Sequence, residues 1–567
     1  MTGARAPGRG AIGWLAAGTA AGLLAGVVAY GLVSETPVSR LSAAQAASTA
    51  HVPRFAEETV PSGVRHVYDG DFEFYVGGGV AVLDCDDDRR PDIYLAGGAR
   101  PARLYHNDSQ GGQALRFSQV SDPATDLTAV TGAYPLDIDA DGLLDLAVLR
   151  VGEDVLLRGL GECRFERANE EWNFDGGSSW SVGFSATWEA SATLPTLAVG
   201  NYLQVPEAGT GQRRCDTSAL YRPTDAHGYG PPTELAPGLC SLSVLFSDWN
   251  ATGRHDLRLA NDRHYYREGG EQLWRISEGE PPRLYTAADG WRDLSIWGMG
   301  IASRDVTGDG LPEVVLSSQA DNKLQTLATG PDEPAYEDIA IRRGTTAHRP
   351  FMGDATLPST AWHPEFADVN NDGRADLFLS KGNVQDQGGF AADDPSNLLL
   401  HNVDGTFTES AREAGIVSLG RGRGAALADF NLDGLLDLVE VNRGENVRVW
   451  RNVGSGTESD PAAMGSWIGV RLTQPGGNRD AIGSWIEVRT RSGTDRVQLT
   501  VGGGHAGGQL GWTHFGLGEE ESAKVRVRWP DGETGPWLRV DANRFALLER
   551  GTDEVSTWVP PHAQSAG

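Results

Sequence analysis

Short apolar runs recur along most of the chain, each followed at once by a group of acids and then by a second apolar run. Val80-Ala81-Val82-Leu83 leads into Asp84, and Ile93-Tyr94-Leu95 follows the acids. Apolar residues at successive rather than alternate positions mark short strands covered on both faces, and the Gly and Asp that bound them disfavour a buried helix. The pattern is strand, then D-x-D/N/T-x-D/T, then a further acid, then strand. The copies are Asp84, Asp86 and Asp88 with Asp92; Asp137, Asp139 and Asp141 with Asp145; and Asp248, Asn250 and Thr252 with Asp256. Three more are Asp305, Thr307 and Asp309 with Glu313; Asp368, Asn370 and Asp372 with Asp376; and Asp429, Asn431 and Asp433 with Asp437.

Their first residues lie 53, 111, 57, 63 and 61 positions apart. The wide interval holds a further unit at residues 188–199, where Leu197-Ala198-Val199 keeps the second strand while the carboxylates are gone. Seven units of about 50 to 60 residues with several strands each predict an all-β fold, a seven-bladed β-propeller over residues 51–455. A small β domain follows at 465–555, with segments such as Trp485–Arg491 and Val525–Trp529 between Gly and Pro-Asp-Gly turns, and 556–567 is expected to be a disordered tail.

The spacing of the acids carries the chemistry. A hard dication takes six to eight oxygens, and side chains at loop positions 1, 3, 5 and 9 with the carbonyl at 7 converge on one point as the loop curls. Glycine at position 6 (Gly142, Gly253, Gly310, Gly373, Gly434) permits the sharp turn; the first loop has Arg89 there instead, which weakens that site. Helices and a Glu at position 12 would mark an EF-hand. Five loops have Leu or Val there; only Glu440 occupies that place, and it is expected to face solvent. Nineteen acidic side chains at the ligand positions repel one another without a counter-ion. About six structural Ca2+ ions are therefore expected.

Composition narrows the partners. A net charge of -29 argues against nucleic acid and favours cations. Gly10–Ser34 carries no charge and follows Arg5 and Arg9, the pattern of an export signal or signal-anchor helix, expected at about residues 11–33 within an N-terminal region of 1–50. The bulk of the chain is then exported: membrane-anchored and facing the periplasm or cell exterior, or secreted if cleavage occurs near Ala44-Gln45-Ala46. Of four cysteines, Cys215 and Cys240 bracket a Pro-, Gly- and Tyr-rich insertion and are expected to form a disulfide, while pairing of Cys85 with Cys163 stays open.

The Gly-rich lead-in strands, Gly77-Gly78-Gly79-Val80 to Asp84 and Gly422-Arg423-Gly424-Ala425 to Asp429, resemble the FG-GAP/VCBS repeats of integrin α-subunit propellers. Residues 501–510, then His514-Phe515-Gly516-Leu517-Gly518, then Val525–Gly532, resemble an ASPIC/UnbV domain. Together they are similar to the cartilage acidic protein family. The resemblance implies calcium binding and an adhesion or matrix role, and no catalytic residues.

Gly502-Gly503-Gly504-His505-Ala506-Gly507 matches G-x-G-x-x-G without a following βαβ unit, so it does not read as a dinucleotide site. His505 and His514 read as turn supports before ligands or bases. No H-E-x-x-H, G-x-S-x-G or P-loop occurs. Three functions compete: a calcium-stiffened, non-catalytic module binding a protein or glycan; a calcium-dependent polysaccharide lyase or hydrolase using the propeller funnel; and a structural subunit of an exported enzyme. The propeller tryptophans, including Trp188, Trp274 and Trp362, could stack on sugars but read first as packing between blades.

Overall fold

The computed structural model describes residues 51–189, 192–204, 214–224, 228–262, 270–292, 294–319, 321–346, 358–385 and 395–561. The expected N-terminal anchor lies outside these. Among the described residues no helix is long and apolar enough to cross a membrane.

The chain is all-β, with nine four-stranded sheets among the described residues. Seven come from the repeat region. Their innermost strands are Val80–Leu83, Val130–Leu136, Ser181–Thr187, Ser241–Ser247, Gly298–Arg304, Ala361–Ala367 and Gly422–Ala428. Each packs against the next, and the seventh packs against the first. The first two strands of every sheet form an antiparallel hairpin closed by an acidic loop, or by 188–195 in the third. Both strands are almost wholly buried, as their continuous apolar runs require. In six sheets a register shift breaks the inner end of the hairpin, as between Val130 and Gly132. Such a bulge bends the strand.

The seventh sheet borrows its outermost strand. Phe55–Glu57 pairs antiparallel with Arg448–Asn452, with Phe55 opposite Asn452. The seam is buttressed by a buried ion pair, Glu58 to Arg451 at 2.8 Å, and the second Glu58 oxygen accepts from Leu115 N. A disulfide joins Cys85 in the first loop to Cys163 in the second sheet, and another joins Cys215 to Cys240. Glu440, expected in solvent, is fully buried: its Oε1 accepts from Ser380 at 2.7 Å and from Ser396, because its strand is covered on both faces.

The remaining two sheets form the tail domain around Ile468, Val470, Phe515, Val525 and Val527. Its last strand is Val555–Trp558, so ordered structure continues past 555 where a disordered tail is expected. Residues 501–510 leave this domain and enter the axis shared by the seven inner strands. Backbone bonds run from Val82 N to Gly508 O (3.0 Å), Ala133 N to Ala506 O (3.2 Å), Ala186 N to Val501 O (3.3 Å), Gly503 N to Val244 O (2.9 Å) and Gly504 N to Ile301 O (2.6 Å). His505 N donates to His363 Nδ1 of the sixth sheet at 3.0 Å, and the His505 carbonyl faces Gly424 of the seventh. One decapeptide therefore reaches every sheet.

Glycine makes this fit. A Cβ on Gly79 would lie 1.7 Å from the Ala506 carbonyl oxygen, and one on Gly507 would lie 2.1 Å from that of Val80. Backbone faces backbone there, with no flexible side chain to yield. The substitution Gly79→Ala is expected to lower stability by about 2–3 kcal/mol, as overpacking of a rigid core does, measured by urea denaturation; a change below about 0.5 kcal/mol, the level of a neutral surface substitution, would show that the tail does not occupy the axis.

Candidate metal-binding loops and their cover

The six acidic loops share one backbone plan. Positions 4 and 6 both turn left-handed: Asp87, Ala140, Ala251, Gly308, Asn371 and Leu432 at the fourth, and Arg89 (φ 68°) or glycine at the sixth. The first-position carboxylate accepts from the N–H at position 6, as Asp84 does from Arg89 (3.1 Å), Asp368 from Gly373 (2.7 Å) and Asp429 from Gly434 (2.8 Å). The fifth accepts from position 7, as in Asp88 from Arg90 and Asp433 from Leu435. These bonds curl the loop and turn the acids inward.

The ninth position has a second role that its spacing does not reveal. Asp92 Oδ2 accepts from Cys85 N in the loop (2.9 Å) while Oδ1 accepts from Asn107 N on the third strand (2.7 Å). Asp145 does the same with Ile138 and Gly159, Asp376 with Val369 and His401, and Asp437 with Phe430 and Asn452. The acid thus ties loop, hairpin and third strand together. Each of these four is at most 1% exposed.

Burial without a cation raises these groups. Burial lifts Asp92 to about 8, and lifts Asp145, Asp376, Asp429 and Asp437 well above the carboxylate range; neighbouring acids add to the shift in every one of them. Asp137 rises to about 7 and Asp368 to about 8 for the same reasons. Oxygens of Asp84, Asp86 and Asp92 lie within 4.8 Å of one another, as do those of Asp137, Asp139 and Asp145. Asp84 Oδ1, Asp137 Oδ1 and Asn431 Oδ1 are buried with no hydrogen-bond partner. Convergent hard oxygens, some lacking any donor, fit a divalent cation of the calcium type.

The loops differ in what else reaches them. In the first, His106 Nε2 sits 3.1 Å from Asp86, and that hydrogen bond raises the imidazole to about 9. In the second, Arg158 bridges Asp139 (2.9 Å) and Asp141 (3.1 Å). In the fourth, Asp305 pairs with Arg496 of the tail (2.9 Å), Asp309 accepts from Leu311 N, and Glu313 accepts from the hydroxyls of Thr307 (3.1 Å) and Thr326 (2.8 Å). In the fifth, Asn370 accepts from Asp372 N, and Arg374 pairs with Asp372 at 2.5 Å. In the third, Asp248, Asn250, Thr252 and Asp256 are bonded mainly to side chains. The repeat at 188–196 lacks the acidic pattern; there Thr196 donates to Glu189, itself paired with Arg222 at 2.7 Å.

The tail domain touches all six loops. Arg471 bonds Asp84 (3.0 Å), Arg528 bonds Asp248 (2.8 Å), and His514 Nε2 meets Asn371 Oδ1 (2.7 Å). Arg479 packs on Gly142 and the Trp467 indole on Gly434. His505 and His514 are both pushed down to about 3 by burial. Gly77 N donates to His505 Nε2 at 3.2 Å, so Nδ1 carries the proton and donates to Met299 O at 3.0 Å. Both histidines are joints between tail and ring, neither poised as a base.

Family models match at residues 84–148, an FG-GAP-like repeat, and at 474–555, ASPIC and UnbV. The chain is similar to cartilage acidic protein 1 of Mus musculus, 24% identical over 277 residues, which are 48% of this chain and 40% of that protein. The Homo sapiens protein matches at 24% over 277 residues, 48% of this chain and 39% of its own length. The match thus spans about two fifths of these relatives. Among solved structures, BBS1N in complex with ARL6DN aligns at 11% identity and TM-score 0.40 over 71% of this chain and 97% of that one, too distant a likeness to bear on function.

The raised carboxylates predict how the metal-free protein responds to pH. An Asp with an unfolded value near 3.9 that rises to about 8 when folded, as Asp92 and Asp368 do, favours folding in its protonated form. That contribution is complete below the unfolded value and is lost as pH climbs through the folded one. In chelator, the melting temperature should fall between about pH 5 and 8 and recover on adding calcium at pH 8. A melting temperature that rises over that interval in chelator would contradict the assignment.

Proposed function

We propose that this protein, which carries an FG-GAP-like repeat and an ASPIC and UnbV domain and is related to cartilage acidic protein 1, is an exported, calcium-stabilised, seven-bladed β-propeller that serves as a non-catalytic interaction module. The observation that carries the reading is the set of buried, convergent carboxylates without a cation at the first and ninth loop positions, clearest in Asp429 and Asp437 of the seventh sheet. Calcium would be held by the carboxylates and by Asn431 and its counterparts, and would supply the positive charge that lets the acids stay ionised when buried. The two disulfides agree with an oxidising compartment outside the cytoplasm, and the apolar N-terminal segment would act as signal or anchor.

Two observations favour binding over polysaccharide cleavage. Residues 501–510 fill the axis where a funnel-based active site would lie. The cavity beside them, about 270 Å³ and walled by both ring and tail, is smaller than the roughly 300–1,000 Å³ of ordinary ligand pockets, and the larger cavity of about 570 Å³, walled by Trp188, Arg254, His255 and Asn478, lies away from residues 501–510. Partners then meet the outer surface, where a net charge of -29 selects proteins or glycans with basic groups. The relatives are named for cartilage and for acidity, and this chain shares the acidity.

Chelation tests the metal. Removing calcium from the region after residue 50 should lower the melting temperature by about 10 °C or more, since loss of several tightly bound ions removes several kcal/mol of linkage. An unchanged value would end the proposal. A screen of immobilised proteins and glycans tests the module: binding should be saturable, metal-dependent and weakened by salt.

A further inference from the structure

The third loop does not fit a metal ion, although its D-x-N-x-T spacing is that of the others. Both carboxylates are buried, at 1% and 0% exposure, and every one of their oxygens already has a donor. Asp248 Oδ1 accepts from Thr252 N (2.7 Å). Its Oδ2 accepts from Gly253 N (3.0 Å), Trp485 Nε1 (3.1 Å) and Arg528 Nη2 (2.8 Å). Asp256 Oδ1 accepts from Arg254 Nε (3.0 Å) and Ile276 N (3.2 Å), and its Oδ2 from Arg254 Nη2 (3.1 Å), Trp249 Nε1 (2.8 Å) and the Tyr285 hydroxyl (2.8 Å). Asn250 Oδ1 is taken by the Thr252 hydroxyl at 2.8 Å.

Two carboxylates face two guanidinium groups, so the local charge is balanced without an ion. The first and second loops differ in keeping a buried oxygen with no donor, Asp84 Oδ1 and Asp137 Oδ1, and the sixth keeps Asn431 Oδ1. In the fifth the oxygens of Asp368 and Asp376 are also all taken, but by backbone N–H groups with no guanidinium on either carboxylate. In the fourth Arg496 reaches Asp305 while Glu313 meets only N–H and hydroxyl donors. Position 7 supplies Arg254 from the ring itself. Arg528 and Trp485 come from adjacent strands of the tail, paired Trp485 to Arg528. Arg528 also donates to the Ala251 carbonyl at the tip of the loop, at 2.6 Å.

We propose that the loop Asp248–Asp256 binds no calcium and is instead an arginine lock, in which Arg254 and Arg528 are its fixed cations and the tail domain is fastened to the ring at a point that chelation does not release. The proposal rests on the reading that other loops bind calcium, and the two separate experimentally. A bidentate or doubly bonded guanidinium satisfies a buried carboxylate by charge and by hydrogen bonds together. Displacing these half-buried guanidinium groups (side chains 34% and 25% exposed) for calcium would break hydrogen bonds that the buried carboxylates already have, a bidentate pair at Asp256 among them.

The test uses the full exported region after exhaustive dialysis against a calcium buffer, with bound metal counted by mass spectrometry. Asp429→Asn should bind one ion fewer than the unaltered chain. Asp248→Asn should bind the same number, and so should Thr252→Val, which changes an exposed side chain and guards against misfolding of the first variant. Loss of one ion in either of the last two overturns the lock. A chain that binds no calcium at all overturns the proposed function instead, and the lock is then judged by hydrogen exchange. Amides of Trp485–Arg489 should keep their protection in chelator, while Arg528→Gln should reduce it about tenfold or more. Collapse of that protection in the unaltered chain on chelation, or no change in Arg528→Gln, would overturn the lock.

Discussion

Each acidic loop buries a carboxylate that cannot be spared. In loops one, two, five and six the ninth-position acid receives an N–H from its own loop and another from the third strand, so removing it would leave two backbone donors unsatisfied in the interior. Keeping it buries a charge. The ring is built on this conflict, and a positive charge beside the acid is the resolution available at neutral pH. Loops one, two, five and six leave first- or ninth-position carboxylates with no cation of their own on them, apart from Arg471 on one oxygen of Asp84. The third is met by two arginines, Arg254 of its own and Arg528 of the tail, the fourth by Arg496 of the tail, and the unit at 188–196 dispenses with most of the acids and settles on Glu189 with Arg222. One backbone plan thus carries several solutions to the same electrostatic problem.

The tail domain belongs to this arrangement rather than following it. Its arginines and aromatic rings cover the face on which the loops lie, and its glycine-rich decapeptide threads the axis, with His505 held neutral by a carbonyl on one side and an N–H on the other. Covering the loops keeps water from the first- and ninth-position carboxylates, which strengthens their interaction with any cation present. It also takes the axis and much of the loop face from the surfaces a partner can reach, leaving the loop tips at Asp87, Asp141, Gly308 and Asp309 exposed. A recognition role then falls to those tips, the rim and the far face.

Much of this was readable in the chain. The repeat spacing counted the sheets of the repeat region, because a loop curled on its own N–H groups takes acids at every second position and glycine at the turn. Cys215 and Cys240 pair as their placement around an insertion suggests. Other features were hidden for physical reasons. Phe55–Glu57 is too short to show a period, yet it completes the seventh sheet through pairing with residues almost 400 positions away. Glu440 looks like a surface acid because burial of a charge depends on Ser380 and Ser396, which lie in a different sheet. Gly502 to Gly507 matches a nucleotide loop in spacing because glycine signals close backbone approach without saying to what. Arg254 could have been noticed beside Asp256, whereas Arg528 is 280 residues from Asp248 and has no local signal.

The central claim is that the buried acids of the ring are neutralised by calcium wherever arginine leaves a carboxylate, or one oxygen of it as in Asp84, without a cation. The most direct measurement is anomalous diffraction at long wavelength from crystals grown in calcium. The account predicts difference peaks about 2.3–2.6 Å from the carboxylates of Asp84, Asp137, Asp368 and Asp429, and none at Asp248. Crystals with no peak at those four loops, and with their carboxylates still buried, would contradict it.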